Sequence, residues 1–112
     1  MVRMAQIALI ALLGGFSSAL ADFRDGNALL GDCTSENLVQ GTLCLGYVDA
    51  VADILVKKNA INGFTACIPR SGIISSQVRD IVIQFLRLNA AQRHYGASGL
   101  VAHAISDAFP CR

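Results

Sequence analysis

The chain has 112 residues, 54% of them hydrophobic, with nine basic and eight acidic side chains, four cysteines and no tryptophan. That length makes one domain, too small for an autonomous cofactor-dependent enzyme, and no cofactor is expected. A near-neutral charge with five phenylalanines and two tyrosines gives neither the basic face that displaces phosphate counterions nor a base-stacking platform, so nucleic acid is excluded as a partner.

Residues 1–21 follow the pattern of a cleaved secretory signal. Arg3 precedes an apolar run from Ala5 to Leu13, and Ala19-Leu20-Ala21 fits the small-x-small cleavage rule. A cut after Ala21 leaves 22–112 as the mature domain, in which eight basic residues balance eight acidic ones. A membrane span needs about 20 apolar residues. Gly14, Gly15, Ser17 and Ser18 interrupt this run, so no membrane anchor is expected after cleavage.

Cys33, Cys44, Cys67 and Cys111 all fall in the mature part, an even number in an oxidising compartment, which argues for two structural disulfides. Structural zinc uses close C-x(2–4)-C pairs. The intervals here are 11, 23 and 44 residues, so no metal is expected. Spacing does not select the pairing. Cys44–Cys67 with Cys33–Cys111 is preferred, on the view that the loop after the long helix climbs back to its start. Those bridges would remove roughly 3.4 and 4.5 kcal/mol of chain entropy.

In chain order, a short helix is expected from Asn27, a plausible cap, to Asp32. A long helix follows from about residue 40 to Lys58, with an apolar stripe of Leu45, Val48, Val51, Ala52 and Leu55. Glu36–Gln40 would extend it, although Gly41 weakens that extension. Lys57 and Lys58 suit the negative end of its dipole. Residues 59–74 contain Asn62-Gly63, Pro69 and Gly72 and read as a loop, with a short extended piece around Phe64–Ile68. Val78, Ile81, Val82, Phe85 and Leu86 mark a helix over 75–88. Leu100, Val101, Ala104, Ile105 and Ala108 mark another over 97–108, which Pro110 cannot continue. Asn89 to Gly96 connects the two. The expected fold is all-α: a small disulfide-bonded bundle of about four helices with one long internal loop.

The residues offer no catalytic constellation. His94 has no acid or nucleophile at convincing spacing, and His103 reads as a surface or interface imidazole. Asp49 and Asp53, four apart on the long helix, read as a solvated acidic edge. No H-E-x-x-H, G-x-S-x-G or phosphate-binding loop occurs. Two features suit binding instead. One is the connector Gln92-Arg93-His94-Tyr95, because Arg and Tyr are frequent interface anchors. The other is an apolar surplus that leaves a patch for self-association. Gly46 and Gly99 cost about 1 kcal/mol each against Ala inside helices, and close helix contact is one reason for such residues.

Taken together, several motifs resemble the Rap/Tai-type family of type VI secretion immunity proteins. They are Gly26-Asn27-Ala28-Leu29-Leu30 with Cys33, Cys44-Leu45-Gly46-Tyr47-Val48 with Asp53, and Cys67-Ile68-Pro69. Gln77 with the Val78–Leu86 stripe, Gln92-Arg93-His94-Tyr95, Leu100-Val101 and Phe109-Pro110-Cys111 complete the set. The chain departs from the family pattern at Ala90 and Gly96, where Pro is frequent. The resemblance implies a periplasmic, all-helical, disulfide-bonded and commonly homodimeric protein that is not an enzyme. It also implies a partner, a peptidoglycan amidase effector delivered by neighbouring bacteria, whose cleft is plugged by a loop between helices. The matching positions are Gln92, Arg93, His94 and Tyr95. The alternative class is a periplasmic acid-stress helical chaperone, which exposes apolar surface when acid breaks its dimer.

Overall fold

Local capping chemistry sets the helix starts in the computed structural model, which describes residues 23–112. The leader assigned to residues 1–21 lies outside the described residues. Asp25 caps the first helix, α1 (Gly26–Cys33), its carboxylate accepting from the Ala28 amide at 2.8 Å. The cap is therefore two residues before the expected Asn27. Asn37 caps α2 (Leu38–Val56), taking the amides of Val39 and Gln40 at 2.9 and 3.3 Å. With that cap in place the helix runs through Gly41, so the extension forms over Leu38–Gln40, while Glu36 and Asn37 stay outside it. Helices α3 (Ser75–Leu88) and α4 (Ala97–Ala108) follow, separated by a 3₁₀ turn at Ala90–Gln92.

The four helices enclose one apolar core in which Leu29, Val48, Leu55, Val82, Leu86, Val101 and Ile105 are fully buried. The central element is α4, with seven of its twelve residues buried. Ala108, expected on the apolar stripe, is exposed at the helix end. Among the described residues the most apolar helix is α2, which buries only Cys44, Val48, Val51 and Leu55. Its length and composition alone would suit a membrane, but those four side chains are part of the shared core.

The chain leaves α2 through a left-handed residue, Lys58, with φ 63°. Its amide donates to Leu55 O at 2.9 Å and the Asn59 amide to Ile54 O at 3.4 Å. This is the Schellman arrangement, with lysine where glycine is usual. Asn62 and Gly63 then both take positive φ, 51° and 80°, and the amides and carbonyls of Ile61 and Phe64 exchange bonds of 3.1 and 2.9 Å. Such a two-residue turn reverses the chain. Among the described residues this single pair replaces the extended piece expected at Phe64–Ile68.

That reversal decides the disulfides, which are Cys33–Cys44 and Cys67–Cys111, each with Cα atoms 5.0 Å apart. The preferred pairing, Cys44–Cys67 with Cys33–Cys111, is wrong. After the Asn62-Gly63 turn the chain runs back, and Cys67 shares a small cavity with Val56 and Lys58 at the C-terminal end of α2. Cys44 lies twelve residues earlier in the same helix, about 18 Å away along its axis. The Cys67 amide instead donates to Phe109 O at 2.8 Å, which aligns it with Cys111. Cys33 needs only the short link after α1 to reach Cys44 in the second turn of α2.

A non-glycine residue in the left-handed region costs about 1 kcal/mol or more, and the exposed Lys58 carries that cost. Lys58→Gly is expected to raise the free energy of unfolding by about 1 kcal/mol, read by urea denaturation. A loss of stability would contradict this account of the α2 terminus.

Candidate functional site

The connector between α3 and α4 is built by backbone bonds. Within it, the amides of Gln92, Arg93 and Tyr95 donate to the carbonyls of Asn89, Ala90 and Gln92 at 3.0, 3.3 and 3.0 Å. It is also tied across to residues 24–27. The Gly26 amide donates to Tyr95 O at 3.1 Å, the Asn27 amide to Arg93 O at 2.9 Å, and the Ala97 amide to Arg24 O at 2.8 Å. The first amides of a helix have no partner inside it. Here the connector's carbonyls satisfy two of them, and Asp25 satisfies the next.

Two further features hold this strap. A side chain at Gly26 would sit 2.5 Å from Leu100 Cδ1 and 2.9 Å from Arg93 O, so only glycine admits the connector at this distance. Arg24 is anchored by Asp32, whose buried Oδ2 accepts from Arg24 Nε at 2.7 Å and from the guanidinium NH2 as well. Sequence reasoning missed this pair. The available signal was Asp32 itself, three residues from the buried Leu29 on the same helical face.

With the backbone engaged, the four candidate side chains divide. His94 and Tyr95 are exposed and face each other, ring centroids 4.2 Å apart and planes 38° apart. Arg93 is half-buried, and its Nε is buried without a hydrogen-bond partner. Gln92 and Tyr95 border a groove of about 450 Å³ whose other walls include Asn62, Ser98 and His103. The Asn62 amide lies against α4 at Gly99, where a Cβ would stand 2.2 Å from Nδ2. Contact therefore accounts for Gly99, though with a loop and not a helix, while a Cβ on Gly46 would meet nothing within 4 Å.

His103, expected at the surface or an interface, forms part of the groove. It stacks on Phe64 at 4.4 Å, with planes 12° apart, meets Phe85 at 4.8 Å, and lies 3.5 Å from Asp107. Asp49 is half-buried and Asp53 exposed. Among the described residues, no group of three or more His, Cys, Asp or Glu side chains could hold a metal ion, and every cysteine is oxidised.

Exposed rings and a shaped groove carried on a helical scaffold suit binding. The chain belongs to the family of Rap1a immunity proteins, whose model matches residues 25–111. Membership makes it an immunity protein and not an enzyme, and implies a cognate effector as its partner. The two disulfides and the family are consistent with the periplasm. No curated protein and no solved structure matches the chain.

Gly26→Ala is expected to cost about 1–3 kcal/mol by overpacking, measured by chemical denaturation. Gly46→Ala, which meets nothing within the chain, is expected to stabilise the isolated protomer by up to about 1 kcal/mol, read at protein concentrations low enough to keep it monomeric. Equal effects at the two positions would contradict the close approach described at Gly26.

Proposed function

We propose that this protein is exported by a signal cleaved after Ala21 and acts in the periplasm as a homodimer. There it binds a type VI secretion peptidoglycan amidase effector and occludes the active site, protecting the producing cell and its siblings. Gln92, Arg93, His94 and Tyr95 form the inhibitory plug.

One observation carries this reading: the connector's backbone is occupied by α1 while the rings of His94 and Tyr95 point to solvent. Ordering an interface loop costs free energy on binding. A loop already bonded to its scaffold loses less, so more of the contact energy appears as affinity. Tyrosine adds area and a hydroxyl for few rotatable bonds. Inhibition needs no chemistry of its own, because a filled cleft excludes the peptide stem from the amidase's catalytic groups.

Co-expression is expected to rescue cells from a periplasmically targeted amidase encoded beside this gene, and killing despite expression would count against the proposal. Tyr95→Ala and Arg93→Ala are expected to weaken binding to that amidase by more than about 1 kcal/mol. Tyr95→Ala should leave the thermal midpoint unchanged, since its side chain is exposed. Parallel losses of stability and binding for Tyr95→Ala would make the residue scaffold instead.

A further inference from the structure

Helix α2 is apolar on two sides, and only one of them is used. At 100° per residue, Val39, Leu43, Gly46, Ala50 and Ile54 fall within about 80° of one another, opposite the buried Cys44, Val48, Val51 and Leu55. All five are exposed, Val39 at 73% and Leu43 and Ile54 each at 44%. An apolar helix face is normally turned to a core or to a partner. Gly46, a poor helix former, sits at the centre of this stripe with nothing within 4 Å of where its Cβ would be. Nothing inside the described chain calls for glycine there, whereas a second backbone crossing at that point would.

The stripe complements itself. Turning a second α2 antiparallel about a point between residues 46 and 47 sets Val39 opposite Ile54 and Leu43 opposite Ala50. Glu36, just before the helix, then falls opposite Lys57, just after it, and the symmetry repeats this at the other end. A parallel pairing would instead put Glu36 against Glu36 and Lys57 against Lys57. A twofold interface must be self-complementary, and this surface meets that condition in one orientation only.

We infer that the outer face of α2 is the interface between two copies of this chain, packed antiparallel and crossing at Gly46. The inference rests on the homodimer proposed above and not on the identity of the toxin. It leaves the connector, on other elements, exposed in both copies.

The test is the molar mass in solution, by sedimentation velocity, of protein purified from the periplasm. The wild type is expected to be a dimer. Ala50→Arg, at an exposed position, is expected to weaken the dimer by more than about tenfold, with helicity by circular dichroism and both disulfides retained. Glu36→Lys and Lys57→Glu should each weaken it by a few-fold, and the double variant should restore it, a rescue that a merely structural role would not produce. A wild type that is monomeric throughout the micromolar range would overturn the inference, as would an Ala50→Arg protein that dimerises normally. Monomeric wild type binding ANS through this face would point to a client-binding surface and overturn it too. Because the readout is mass, failure of the amidase reading leaves the result standing, and a monomer leaves the amidase reading untouched.

Discussion

The structure depends on a few backbone hydrogen bonds between residues 24–27 and 93–97. The opening turn of α1 must find acceptors for its amides, or lose stability for each one left bare. Arg93 and Tyr95 supply two carbonyls and Asp25 supplies the next acceptor, while Arg24 returns a carbonyl to Ala97, the first residue of α4. One set of bonds therefore starts two helices and fixes the connector between α3 and α4. Gly26 permits the close approach. The buried Asp32 holds Arg24 in place, and a buried carboxylate stripped of its partner is strongly destabilising.

The disulfides act where this strap does not reach. Cys33–Cys44 pins the link between α1 and α2, closing a separation of 11 residues, and Cys67–Cys111 fastens the internal loop to the chain's end across 44. Chain-entropy arithmetic assigns them about 2.8 and about 4 kcal/mol, comparable to the whole stability of a small domain. The two bridges lie toward opposite ends of α2, and the core between them is apolar and largely aliphatic. With stability supplied by covalent links and buried aliphatics, the outer surface is left to recognition, as suits an immunity protein whose partner is another protein.

Helices α3 and α4 were legible to the residue, because their apolar stripes and the following Pro110 are local signals. The oxidised state of the cysteines was legible from their number and compartment. Their pairing was not. It turns on where Asn62-Gly63 aims the chain, and a turn signal fixes its own geometry but not the path of the residues after it. The strap was invisible because backbone bonds leave no side-chain signature. The outer face of α2 was hidden for a different reason: in a helix apolar on two sides, the stripe Leu45, Val48, Val51, Ala52 and Leu55 accounts for one side and distracts from the other. The connector could be singled out by residue type, but the division between inward Arg93 and outward His94 and Tyr95 needed coordinates.

Amide hydrogen exchange on the isolated protein tests the central claim most directly. The amides of Gly26, Asn27 and Ala97, all within frayable first turns by position alone, are expected to exchange as slowly as the interior amides of α4. Exchange as fast as at the exposed Asn62-Gly63 turn would contradict the account, because the connector would then not be held by the bonds that give it its shape.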